Sequence, residues 1–394
     1  MRAQPAALLL WWVVLAGWRA CPAGELTPLS ELAQLGRQEF FDPSLSASGR
    51  LACASCHSPA RAYASPAGGA APPAGERLDR MALRMVPSLR YLAHTPRFTR
   101  HFYTGHGEDN EDSGPAGGFM RDGRADSLHE QALLPWLDRD EMANQSIAAL
   151  AQRLSRADYA SRLRSQFGRE LFDRPRQSVA AAALAVERFE LEDPSFHPYS
   201  SRYDRFLAGE LTLSAQEQRG LELFLDPHKG DCAECHPATR GPGGRGPVFT
   251  DYSYRALGVP RNPELAANEN PGFYDLGLCG PLRANLAAET RYCGYFKTPT
   301  LRNSARRTRF FHNGRFRTLQ EVLEFYAQRD TAPQRFYPLV AGRLRRFDDL
   351  PARYRNNVDR SDPPFGRTAG DSPALNSAEI ADLAAFLVTL DDAD

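Results

Sequence analysis

The chain has 394 residues with 48 Lys+Arg against 48 Asp+Glu, so no net charge draws it to nucleic acid or to an anionic membrane. At 42% hydrophobic and 24% charged it has a globular composition, and a length above about 300 residues predicts two domains. Seven cysteines are odd in number and too sparse for a disulfide-built scaffold, so their spacing must reveal their use.

Residues 1–23 read as a signal peptide: Arg2, an apolar run from Ala6 to Gly17, and Cys21-Pro22-Ala23 as a small-x-small cleavage site before Gly24. Acylation of Cys21 as a lipoprotein is the alternative, and Trp18 and Arg19 count against it. No later segment approaches the roughly 18 apolar residues of a membrane span. The expected location is periplasmic, where disulfides persist.

Residues 35–57, LGRQEFFDPSLSASGRLACASCH, and 219–236, RGLELFLDPHKGDCAECH, repeat one pattern: Gly, a Phe-containing amphipathic turn, Asp-Pro, Gly and Cys-x-x-Cys-His. The chain is a duplicated module. SVAAAALAVERFELE at 178–192 is a strong helix former that closes the first unit. A capped helix from Asn376-Ser377-Ala378-Glu379, with Ile380, Leu383, Ala384 and Leu387 on one face, closes the second. The boundary falls between Pro194 and Tyr203, giving domains 24–198 and 199–394. The Pro- and Gly-rich stretches at 64–76 and 240–247 read as loops, and nothing in them suggests strands.

Cys53-Ala54-Ser55-Cys56-His57 and Cys232-Ala233-Glu234-Cys235-His236 match the pattern of covalent c-type haem attachment. Two thiols bond the vinyl groups, the intervening pair lets a helical turn present both sulfurs to one porphyrin edge, and the histidine lies under the iron. Zinc would need four soft ligands at finger spacing, and the two pairs are far apart in sequence. The expected fold class is mainly α: two cytochrome c-like haem domains with long irregular loops. Of the 48 basic residues only Lys229 and Lys297 are lysines. Guanidinium groups suit carboxylates such as haem propionates, although a GC-rich genome gives the same bias.

An open sixth position permits peroxide chemistry, whereas two strong ligands favour electron transfer. The first domain holds Met81, Met85, Met120, Met142 and spare histidines, which leaves its sixth ligand open. No methionine follows Met142, so the second haem has no His/Met pair from its own domain; His228, His312 and tyrosines remain. Thr318-Leu319-Gln320-Glu321 is a capping box, and Leu319, Val322, Leu323 and Tyr326 share one helical face. On periodicity alone Tyr326 reads as a core tyrosine.

With these motifs in hand, the chain resembles the bacterial dihaem cytochrome c peroxidase and MauG superfamily. The matching landmarks are LGRQEFFDP with CASCH, VPSLRYL at 86–92, DGRADSLHEQALLP at 122–135, DEMAN at 140–144, the second CAECH, FKTPTLRN at 296–303, FHNG and TLQEVLEFY. The resemblance implies that the N-terminal haem reacts with hydrogen peroxide, and that Gln131, Pro135 and Glu141 stand above it. A carboxylate there can take a proton from the inner peroxide oxygen and return one to the leaving oxygen. The second haem's ligand, a methionine in the conventional peroxidases and a tyrosine in MauG, falls on Tyr326. His312 is then a packing or supporting residue.

Three departures qualify the resemblance. The inter-haem tryptophan is replaced by Arg121, with Trp136 either a substitute relay or a packing residue. Met85 stands where an asparagine binds an interdomain calcium, whose carbonyl ligands would lie near Arg307 and Arg309, so calcium is doubtful. Residues 58–93 contain no histidine, so the N-terminal haem is expected to be five-coordinate. Cys279 and Cys293 are expected to form a disulfide, the remaining pair in an oxidising compartment. The expected activity is that of a dihaem peroxidase drawing electrons from a small cytochrome or cupredoxin, or a MauG-like oxidase of residues in a partner protein. A non-catalytic dihaem electron carrier is the alternative of a different class.

Overall fold

The computed structural model describes residues 28–66, 73–104 and 111–393, so the expected signal peptide at 1–23, with Cys21, lies outside the described residues. Helices dominate: α1 (Glu31–Phe40), α2 (Cys53–Cys56), α3 (Leu128–Leu137), α4 (Ile147–Arg156), α5 (Ala160–Phe167) and α6 (Pro175–Glu192) come first. They are followed by α7 (Arg202–Leu207), α8 (Ala215–Leu225), α9 (Cys232–Cys235), α10 (Leu319–Gln328) and α11 (Ser377–Val388). Helix α6 starts earlier than its apolar run because Pro175 occupies the first turn, where a missing N–H costs nothing. Ser214, Thr318 and Asn376 cap α8, α10 and α11, each with a glutamate three residues on completing the box.

Three two-stranded antiparallel ribbons are also present among the described residues: 103–104 with 111–112, 254–255 with 296–297, and 339–340 with 343–344. Sequence patterning found no strands. Runs of two residues are too short to show an alternation.

The duplication is visible in the packing. Helix α1 lies against α6, and α8 against α11. At each crossing a glycine lets the backbones touch: a Cβ on Gly36 would sit 1.8 Å from the carbonyl oxygen of Ala185, and one on Gly220 would sit 2.1 Å from that of Asp382. Around the first pair gather Leu35, Phe40, Trp136, Leu154 and Phe189. Around the second gather Phe224, Phe249, Leu383 and Phe386, and a further cluster with Phe310, Phe325 and Tyr337 lies under α10. Each such side chain contributes about 1.5–3 kcal/mol on burial.

Polar ties join the two parts. Arg84 donates from Nε to Asp275 (2.6 Å) and from Nη1 to Asp122 (2.7 Å), all three buried. Arg90 pairs with Asp392, and the Tyr91 hydroxyl donates to the same carboxylate (2.5 Å). Removing one partner of a buried pair costs about 3–5 kcal/mol, so these contacts fix how the two parts meet. Cys279 and Cys293 are disulfide-bonded. Among the described residues no helix is long and apolar enough to cross a membrane.

Candidate functional site

The two CxxCH segments fold alike. In each, a four-residue helix carries both thiols, neither in a disulfide, and the histidine follows as its C-cap. The Nδ1–H of His57 donates to the carbonyl of Tyr63 (3.0 Å), and that of His236 to the carbonyl of Phe249 (2.8 Å). Tyr63 and Phe249 both hold left-handed backbone, at φ 54° and 53°. A non-glycine there costs of order 1–3 kcal/mol, and the same device at both sites points to function rather than accident. Burial keeps both imidazoles neutral, taking His57 down to about 4 against the opposing pull of the Tyr63 and Pro87 carbonyls. A neutral ring with Nδ1 anchored by a carbonyl is what an Nε2 metal ligand requires.

At the first site, α3 carries Gln131 and Pro135, and the chain then doubles back. Met142 N–H donates to the Pro135 carbonyl (3.0 Å), and Asn144 Nδ2 donates to the carbonyls of Leu45 and Trp136. This turn holds Glu141 close enough to the α2 helix for its charge to raise the Cys56 thiol, whose value burial pushes up to about 12. Burial first, then Asp138 and Asp140, lift Glu141 itself to about 7 against the pull of Arg124. Gln131 is buried, and its Oε1 has no partner among the described residues. Trp136 is wholly enclosed in the first core, a packing position.

At the second site, Cys232, Cys235, His236 and Tyr326 line one cavity of about 210 Å³. The face of α10 formed by Leu319, Val322, Leu323 and Tyr326 looks into it. Tyr326 lies between Phe311 and Phe365, at ring-centroid distances of 6.0 and 5.8 Å. Burial, followed by the charges of Cys235 and Cys232, raises its phenol well above the ordinary tyrosine value. His312 also faces the cavity, but its Nε2 is 3.3 Å from Asp349 and its ring stacks on Phe296.

The cavity has a cationic wall that sequence reasoning found only in part: Arg121, Arg255, Lys297 and Arg307. Arg121 Nε donates to the Met85 carbonyl (2.9 Å), and Arg307 Nη2 to the Val86 carbonyl (3.3 Å). Burial lowers Arg121 to about 9, with Arg307 and Arg84 adding repulsion, and lowers Lys297 to about 7. One Arg121 nitrogen is buried without a partner among the described residues. Arg255 pairs with Asp362, whereas no ion pair of Arg121 or Arg307 occurs among the described residues, so two thiols, a neutral imidazole, aromatic walls and these two guanidinium groups fit a macrocycle that brings its own carboxylates. No group of three metal-binding side chains occurs among the described residues.

Residues 30–212 match the family model described as di-haem cytochrome c peroxidase. The methylamine utilization protein MauG of Paracoccus denitrificans is 34% identical over 302 residues, 75% of this chain and 74% of that one. The cytochrome c551 peroxidase of Nitrosomonas europaea is 27% identical over 311 residues, 77% of this chain and 75% of the relative. The crystal structure of the diheme peroxidase BthA from Burkholderia thailandensis superposes with a TM-score of 0.82 at 39% identity, over 94% of this chain and 88% of that one. The chain belongs to the dihaem cytochrome c peroxidase and MauG family of oxidoreductases, and two haems are its cofactors.

Proposed function

We propose that the chain carries both haems covalently, one through Cys53 and Cys56 with His57 as ligand, the other through Cys232 and Cys235 with His236 and Tyr326. The first belongs to an N-terminal unit, residues 24–198, and the second to a C-terminal unit, residues 199–394. Bound haem supplies an iron that takes up peroxide oxygen and a ring system that passes electrons.

The rest is the work of side chains. Glu141 accepts the proton of the inner peroxide oxygen on its carboxylate and delivers one to the outer oxygen as water leaves. Gln131 presents its unpartnered Oε1 as a hydrogen-bond acceptor for the bound peroxide, and Pro135 fixes the turn that aims Glu141. The observation that carries this reading is a carboxyl poised near pH 7, within electrostatic reach of the Cys56 attachment. Reducing one peroxide to two waters consumes two electrons and two protons, and a haem held by Cys232, Cys235, His236 and Tyr326 would pass on the electrons that a redox protein supplies.

A second reading, oxidation of residues in a partner protein, is favoured by Tyr326 in the C-terminal cavity together with the likeness to MauG. Calcium stays doubtful: Arg121 and Arg307 donate to the Met85 and Val86 carbonyls, and a divalent cation beside that segment would meet two like charges. The exported, periplasmic location rests on residues 1–23 and the 279–293 disulfide. Stopped-flow mixing of the ferric protein with peroxide tests the proposal. A rapid spectral change at one haem is expected. Two six-coordinate low-spin haems that peroxide leaves unchanged would instead identify a plain electron carrier.

A further inference from the structure

Two acids that take no part in the reading above are buried beside the first haem attachment. Glu39, on α1, has zero exposure, and neither of its carboxyl oxygens has a hydrogen-bond partner among the described residues. Glu190, on α6, is 5% exposed, and its Oε2 is equally unpartnered. Their helices pack together, and both charges reach the Cys53 sulfur. Enclosing one unpaired carboxyl is costly, and an aliphatic side chain would fill either position better. Two such enclosed acids on packed helices, both within electrostatic reach of one cysteine, indicate a use.

The surroundings exclude a hidden ion pair. The charge that acts on Glu39 is that of Asp42, which already accepts the Tyr159 hydroxyl (2.7 Å). The charge that acts on Glu190 is that of Glu187, on its own helix, and Glu187 is engaged by His129 of α3 (2.8 Å). The neighbouring charges are therefore negative, and with burial they favour the protonated acids. Arg153, on α4, points elsewhere, to the carbonyls of Ser44 and Ala47. Glu141 acts on the other sulfur, Cys56.

We propose that Glu39 and Glu190 form a buried proton store coupled to the redox state of the haem at Cys53 and Cys56, a role that rests on that attachment. When an electron arrives from the redox donor, the added negative charge is answered by a solvent proton binding a carboxylate oxygen. When the electron leaves, that O–H bond breaks and the proton returns to solvent. One proton accompanies one electron, and the net charge of the enclosed site stays constant. Glu190, lifted to about 8 chiefly by burial, places the window of exchange in the mildly alkaline range.

The test is a spectroelectrochemical titration of the dihaem protein from about pH 6 to about pH 9, a range spanning the raised acids. One haem midpoint is expected to fall as pH rises. Glu39→Gln and Glu190→Gln should each flatten that fall, and the double variant should abolish most of it while both haems stay attached and the other midpoint is unmoved. A double variant with the wild-type slope overturns the proposal, as does loss of the whole slope in Glu141→Gln alone. Should the glutamine variants fail to fold, redox-difference infrared spectra of the wild type in H2O and D2O decide. A protonated-carboxyl stretch that grows on reduction and shifts in D2O is expected, and its absence overturns the idea. Failure of the peroxide reading is told apart because it shows as inertness to peroxide and leaves both midpoints in place.

Discussion

The two CxxCH segments use the same scaffold and differ in what faces it. Both place a CxxCH turn after a helix that crosses its partner at a glycine, and both pin the histidine to a carbonyl in left-handed backbone. Opposite that common frame, the first site gathers protonatable groups: Glu141 near pH 7, the unpartnered amide oxygen of Gln131, and two buried acids. The second gathers a tyrosine, aromatic rings and a wall of cations. On the proposed reading the repeat supplies two equivalent haem supports, and the different facing residues give proton handling to one and electron handling to the other.

The largest break in this contrast should come from Glu141→Gln. Loss of a positioned acid–base group slows proton transfer by about 10²–10⁴-fold, so the stopped-flow rate with peroxide should fall by that factor while both haem spectra persist. The pH profile carries a sign. Glu141 acts as a base only when ionised, and its value is raised to about 7, so the wild-type rate should climb between about pH 6 and about pH 8. The glutamine variant should show no such climb, and an unchanged rate would remove Glu141 from the chemistry.

The symmetric part of the comparison is tested at the helix crossings. Alanine at Gly36 or Gly220 puts a methyl group within about 2 Å of a backbone oxygen, so the helices must part. Each substitution should cost about 3 kcal/mol, read as a fall of roughly 6–12 °C in the melting temperature of the dihaem protein. Similar losses at both sites support equivalent supports. Tolerance of alanine at one site alone would show that the two units had diverged in packing as well as in function.

Much of this arrangement is legible in the sequence because it is encoded locally. The CxxCH turns, the Asp-Pro lead-ins, the capping boxes at Thr318 and Asn376 and the inward face ending at Tyr326 each lie within a dozen residues, where spacing is sufficient. The rest depends on approaches between distant segments. Arg121, Arg255, Lys297 and Arg307 share a wall only once the chain has folded. Glu39 lies one turn after Leu35 on the buried face of α1, so its helical position was visible, but a lone glutamate there reads as the edge of an apolar stripe. Trp136 could be read as a relay or as packing until the core closed around it.

The smallest change with a clear readout is Tyr326→Phe. The ring stays between Phe311 and Phe365, and only one hydroxyl is lost, so unfolding stability should move by about 1 kcal/mol or less. Enclosure alone raises the phenol and keeps its proton on; a cation within the cavity reverses that preference by replacing the proton. If Tyr326 ligates the second iron, its phenolate stabilises the ferric state, and removing it should raise one haem's midpoint and alter one haem's spectrum. The haem at Cys53 and Cys56 should be untouched. Unaltered spectra would return Tyr326 to an ordinary core residue and leave the cationic wall as the main distinction between the two sites.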